Sequence, residues 1–169
     1  CETGIVPTTS TTMMLALGDA LAIALMEHRA FTPDHFRVFH PGGKLGARLL
    51  KVRDLMHDNP PLVPEETPMG EVLVEISRKG FGVVGVTDAA GALAGIITDG
   101  DLRRHLDGLM SHTAGEVMTR SPRTIRTEAL AGEALALMND RKITCLLVTE
   151  GPHAIGILHV HDCLRAGVA

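Results

Sequence analysis

The feature that most constrains this chain is an internal repeat between residues 52 and 169. Asp54-Leu55-Met56 recurs as Glu116-Val117-Met118, a shift of 62. Leu62-Val63-Pro64 recurs as Thr124-Ile125-Arg126. The helically spaced set Met69, Val72, Leu73, Ile76 recurs as Ala131, Ala134, Leu135, Met138, and Val83-Val84-Gly85-Val86 as Cys145-Leu146-Leu147-Val148. The shift then falls to 61, because Gly95 and Asp101 recur as Gly156 and Asp162. The lost residue lies between Asp88-Ala89-Ala90-Gly91 and Glu150-Gly151-Pro152-His153, where a surface turn tolerates a deletion. Each copy therefore reads as strand, helix, strand, turn, strand, helix, with the strands around the turn paired antiparallel. Copies of about sixty residues bury too little apolar surface to stand alone, so the two are expected to pack on each other.

Within the repeat, Gly95-Ile96-Ile97-Thr98-Asp99-Gly100-Asp101 reads as a buried strand turning sharply into a helix. Its altered copy is Gly156-Ile157-Leu158-His159-Val160-His161-Asp162. Thr98 and Asp101 have the spacing of a capping box, in which the acid reaches back to the cap residue. The same residue types also suit a ligand, since a carboxylate accepts hydrogen bonds from a vicinal diol. Both roles stay open for Thr98 and Asp101. In the second copy His159 replaces the hydroxyl residue and only Asp162 is kept, so capping is favoured there. Arg103, Arg104 and Arg165 follow the corners and suit either a phosphate or a solvated helix face. His159 and His161, with His153 nearby, raise a metal site, but no set with ligand spacing supports it, and none is assigned. Met56, Met69, Met118 and Met138 read as core fillers.

The first fifty residues differ. Met13, Met14, Leu17, Leu21, Leu25 and Met26, with alanines between them, give a helix apolar on nearly all sides, the pattern of a helix buried all round. Thr9, Ser10 or Thr11 is expected to cap it. So short a segment cannot supply a surrounding core, and the helix is expected to dock on a neighbouring chain or on further sequence. The run from Met13 to Met26, broken by Gly18 and Asp19, reads as too short for a membrane span. A short helix follows Thr32 as cap and Pro33 as first residue. In His40-Pro41-Gly42-Gly43, Pro41 holds His40 extended, and an imidazole there fits a general acid/base or merely a surface position in a glycine-rich linker. Leu45, Leu49 and Leu50 are expected to begin another short helix.

Composition narrows the function. A net charge of -4 argues against a nucleic-acid partner, and with no Trp, no Tyr and four Phe there is little to stack on single-stranded bases. Cys1, Cys145 and Cys163 have no motif spacing, which fits a reducing cytoplasm, and Cys145 reads as a core residue. A chain that starts at Cys1 and runs at once into a very apolar helix is expected to be a fragment without its N-terminal partner.

The opening Val52-x-x-x-Met56, the strand and helix order and the G-h-h-T-x-x-D corner at Gly95–Asp101 resemble a tandem pair of cystathionine-β-synthase-type (CBS) motifs, a Bateman module. Further stretches resemble the D-arabinose 5-phosphate isomerase family: Pro7–Thr12, Gly18-Asp19-Ala20-Leu21-Ala22, His40–Gly46, Thr98–Arg104 and Leu158–Gly167. The resemblance implies an α/β (α+β) chain, with the end of a sugar-isomerase (SIS) domain at 1–50, CBS motif 1 at 51–110 and CBS motif 2 at 111–169. It implies a cytoplasmic parent enzyme that interconverts D-ribulose 5-phosphate and D-arabinose 5-phosphate for Kdo and lipopolysaccharide synthesis. It further implies a homo-oligomer, a dimer of CBS pairs within a tetramer, with no membrane or nucleic-acid partner and no cofactor. His40 would be the proton-transfer residue. Thr98, Asp101 and Asp162 would be the effector-binding residues, Asp101 on a ribose diol and Thr98 with first-turn N–H groups on a phosphate. The effector would be an adenine or cytidine nucleotide or CMP-Kdo; the alternative is a structural module that binds nothing. The family's glycine- and serine-rich phosphate loop is not among these residues, so the chain alone is expected to lack isomerase activity.

Overall fold

The computed structural model describes residues 7–39 and 43–168. The chain divides into two compact units, Cys1–Pro41 and Gly42–Ala169.

The first unit holds helix α1 (Thr9–His28) and helix α2 (Pro33–Phe39). None of α1's residues is buried, and Leu15 and Leu17 stand 69% and 61% exposed. The helix starts earlier than its apolar run, because Thr9 to Thr12 join its first turn. Thr8 occupies the cap position without a side-chain cap bond, and the Thr11 and Thr12 hydroxyls instead donate back to its carbonyl at 2.8 and 3.1 Å. The expectation that Thr9, Ser10 or Thr11 caps the helix is thus corrected by one residue. So is the expectation on length, since 20 residues are long and apolar enough to span a bilayer by length and composition. The core helix of a soluble protein meets the same description. Asp19 stands near its middle, where a charge at a bilayer centre costs about 2.5–3.5 kcal/mol. At α2, Thr32 and Pro33 take their expected places, with the His35 N–H donating to the Thr32 hydroxyl at 3.3 Å. His40 lies outside the described residues.

The second unit begins with helix α3 (Gly43–Ala47), which ends before Leu49 and Leu50 rather than running through them. The first copy of the repeat then supplies β1 (Leu62–Pro64), α4 (Met69–Lys79), β2 (Val83–Thr87), β3 (Leu93–Thr98) and α5 (Asp99–Arg104). The second supplies α6 (Ala114–Val117), β4 (Thr119–Arg120), β5 (Thr124–Arg126), α7 (Ala131–Arg141), β6 (Cys145–Glu150), β7 (His153–His159) and α8 (Val160–Arg165). In both copies the first strand runs parallel to the second, and the second pairs antiparallel with the third. Both hairpins carry a register shift, between Val86 and Thr87 and between Val148 and Thr149. The residue missing from the second copy falls in the turn. In the first copy Asp88 closes that turn by accepting from the N–H groups of Ala90 and Ala92, both at 2.9 Å.

The strand faces that read as apolar are buried. One core gathers Val63, Met69, Val72, Ile76, Val84 and Ile97; a second gathers Ala134, Met138, Leu146, Val148 and Leu158. A third cluster of Val83, Cys145, Leu147 and Ile157 joins the two sheets.

The opening segments of the copies are exchanged between the sheets. Val52, from the start of the first copy, lies in the second core, and its N–H donates to the Ala129 carbonyl at 2.9 Å. His57 bridges to Ile157 on β7. In the mirror arrangement, Val117 and Met118 lie in the first core and Thr119 pairs with Ile96 on β3. Sequence-level repeats and spatial halves therefore do not coincide. The exchange explains the glycine at each corner. A Cβ on Gly156 would come within 2.9 Å of Met56 Sδ, and one on Gly95 would collide with the Met118 side chain.

Candidate functional site

The corner at the end of β3 is built as the spacing predicts. Thr98 is the cap of α5, in extended backbone (φ -122°, ψ 169°), and Asp101 is the third helical residue. The Thr98 N–H donates to Asp101 Oδ2 at 2.8 Å and its hydroxyl to the same oxygen at 2.6 Å. Thr119, which the sequence did not single out, adds a third donor, its hydroxyl reaching Asp101 Oδ1 at 2.7 Å. Arg104, one turn along α5, donates to Oδ1 as well. Asp101 is the one buried charged residue among the described residues, at 2% exposure. Burial pushes its carboxyl up, but hydrogen bonds from Thr119 and Thr98 and the Arg104 charge outweigh that and hold it below the usual carboxylate range.

Asp101 and Thr98 line a cavity of about 610 Å³ that opens between the two copies. Its apolar lining is Val83 and Ile96 from one sheet, Cys145 from the other, and Ile143 just before β6. Its polar rim carries Arg103, Arg104, Arg123 and Lys142 against Asp99 and Asp101. An apolar floor under a rim richer in cations than in acids accommodates a flat apolar group bearing an anion. Burial pushes the Cys145 thiol up to about 11, which favours the protonated form. Lys142 stands at φ 54° and ψ 42° as the residue that ends α7, whereas its counterpart Gly80 (φ 73°) ends α4. The left-handed region suits glycine and strains lysine.

Asp162 does not line this cavity. It occupies the equivalent corner of the second copy, where His159 is the cap of α8. Asp162 accepts from the His159 N–H at 3.2 Å and meets His57 Nε2 at 3.1 Å. His57 stands where Thr119 stands in the first corner, and its ring also meets Phe81 edge-on, with centroids 5.2 Å apart. His159 Nδ1 accepts from the His161 N–H at 3.1 Å. Burial, then the charge of His161, lowers the pKa of His159. His153 is elsewhere, against the Gly91 carbonyl at 3.0 Å. Among the described residues no group of three His, Cys, Asp or Glu side chains is placed to share a metal ion.

Sequence reasoning thus found Thr98, Asp101, Arg103 and Arg104. It missed Thr119, Arg123, Lys142 and His57. A signal existed for two of them: His57 and Thr119 are one repeat apart, so each comes to the other copy's corner.

The CBS-domain profile matches residues 52–108 and 114–169, so the chain belongs to the CBS-domain family, as a tandem pair. Over 99% of its length it is 50% identical to the arabinose 5-phosphate isomerase KdsD of Pseudomonas aeruginosa, of which it covers 54%. It is 44% identical to the protein of the same name in Escherichia coli K12, of which it covers 53%. The chain spans about half the length of the curated relatives it matches. Among solved structures, CBSX2 in complex with AMP is 27% identical with a TM-score of 0.61, over 70% of this chain and 96% of that one. The CBS domain of a membrane protein from Sphaerobacter thermophilus shares the fold at 24% identity and a TM-score of 0.60, over 71% of this chain and 89% of that one.

Proposed function

We propose that this chain is the regulatory CBS pair of an arabinose 5-phosphate isomerase and that it binds a nucleotide or nucleotide-sugar effector in the cavity beside Thr98 and Asp101. The observation that carries the reading is the cavity itself: a buried carboxylate at one end, an apolar floor, and four cationic side chains on the rim. A ribose diol at Asp101, a base over Val83, Ile96 and Ile143, and phosphate among Arg103, Arg104, Arg123 and Lys142 match those three features. The relative solved with AMP supports an adenine nucleotide. A pathway end product such as CMP-Kdo presents the same groups.

The parent reaction, interconversion of ribulose 5-phosphate and arabinose 5-phosphate in a cytoplasmic oligomer, is proposed from the identity to the KdsD proteins. His40 is its proposed proton-transfer residue.

Titration calorimetry with AMP, ADP, CMP and CMP-Kdo tests the effector reading. Saturable binding that is lost in Asp101→Asn and kept in Asp162→Asn supports it. Binding that survives Asp101→Asn excludes this cavity. One observation favours a second reading, a purely structural pair: Asp101 already finds all its hydrogen bonds within the protein. On that reading no nucleotide shifts the melting temperature.

A further inference from the structure

The Asp101 carboxylate is fully subscribed. A carboxylate offers about four acceptor positions. Oδ2 takes the Thr98 N–H and hydroxyl, and Oδ1 takes the Thr119 hydroxyl and the Arg104 guanidinium. A ligand hydroxyl can bond this carboxylate only by replacing one of these donors. The Thr98 N–H is fixed by the backbone. The two threonine hydroxyls hang on short side chains from β3 and β4, which pair through Ile96 and Thr119. Arg104 is different: its side chain is 63% exposed, unbranched and on the cavity rim.

We infer that Arg104 is an exchangeable plug: in the free protein its guanidinium stands where the ligand's diol binds, and on binding it swings from Asp101 to the ligand's anionic group. The inference rests on the effector reading above and adds its regulation and selectivity. A neutral ligand that displaced Arg104 would trade a charge-assisted ion pair for a hydroxyl hydrogen bond, which is weaker. It would also release a guanidinium beside Arg103, Arg123 and Lys142, a rim on which Asp99 is the one other carboxylate. A ligand with a phosphate supplies the replacement partner. The site therefore accepts compounds that carry a diol and an anion together and rejects uncharged nucleosides. Discrimination comes from the cost of emptying the site, not from an extra contact to the base.

Calorimetric titration of the chain and its Arg104→Gln variant with AMP and with adenosine tests this. Wild type is expected to bind AMP, with adenosine weaker by roughly tenfold or more, the scale of one charge-assisted bond. In Arg104→Gln adenosine is expected to tighten and AMP to weaken, so that the two affinities converge. An unchanged ratio, or an equal loss for both, overturns the plug while leaving the effector reading intact. The free protein gives a readout that needs no ligand. In an arginine-selective nitrogen spectrum Arg104 should show resolved Nη signals, identified by their loss in Arg104→Gln. A freely rotating Arg104 guanidinium overturns the plug even if no nucleotide binds. Resolved signals together with no binding of either probe to either protein overturn the effector reading, and the plug's selectivity with it.

Discussion

The corner at Thr98 and the corner at His159 stand on the same backbone and differ in what completes them. Each has a cap residue, an acid three positions on, and a donor delivered by the other copy's opening segment. In the first corner that donor is a small hydroxyl, Thr119, and a cavity remains beside the acid. In the second it is an imidazole, His57, which stacks edge-on against Phe81 next to Asp162. The rims differ in the same direction. Arg123 and Lys142 of the first cavity correspond, one repeat back, to Pro61 and Gly80. Where the first corner has two cations and a threonine the second has proline, glycine and histidine, so the second carries fewer cations and a bulkier donor on the same fold. Duplication fixes the architecture; side-chain volume and charge set the two corners apart.

The largest expected break in the comparison comes from the acids. Asp101→Ala strands the Thr98 N–H and the Thr98 and Thr119 hydroxyls around a buried position, while the exposed Arg104 turns to solvent, and is expected to cost about 3 kcal/mol. Asp162→Ala, at a side chain 15% exposed with His57, His159 and, at 3.8 Å, Arg165 as partners, is expected to cost about 1 kcal/mol. Urea unfolding of the two variants measures both, and equal losses would show that the corners are energetically alike. A smaller and opposite effect is expected one turn before β6. Lys142→Gly relieves a lysine in the left-handed region and is expected to stabilise by about 0.5–1 kcal/mol, while Gly80→Ala costs a similar amount. The same Lys142→Gly change removes one rim cation, so AMP affinity should fall as stability rises.

Smallest is a pH effect confined to the second corner. The folded-state pKa of His159 lies below its unfolded value, so the unfolded chain takes up the proton first. Its contribution to stability is full above about pH 6.5 and is lost as pH falls from there through the folded value. His159→Thr, which restores the first corner's hydroxyl, is expected to flatten the melting temperature between pH 7 and 5.5. The first corner behaves differently. The Asp101 pKa is depressed by its donors, so its contribution holds above the unfolded value near 3.9 and is lost only as pH falls through the lower folded one.

Much of this was legible in the sequence, because the repeat carries its own check. A helical spacing such as Met69, Val72, Ile76 that returns as Ala131, Ala134, Met138 identifies a helix twice over, and both sets are buried. The Thr98–Asp101 pair was legible for a local reason: a cap and its acid are neighbours in sequence. Thr119, Arg123 and Lys142 were not, because they reach the cavity by tertiary packing, and no spacing between residues 101 and 142 announces a shared rim. The limits of α1 and α3 are less legible, because threonines and glycines, poor helix formers that suggest boundaries, join their first turns.

The exchange of opening segments bears on how such a molecule can arise and be cut. Neither copy owns its own corner: the acid is inherited with one repeat and its last hydrogen-bond donor with the other. A solitary repeat would have to find a second molecule to complete it, and the product would be a symmetric dimer with two identical recesses. Joining the pair in one chain releases them from identity. One recess can stay open to solution while the other becomes a strut, and a break in the peptide between residues 111 and 113 would leave two pieces that still need each other.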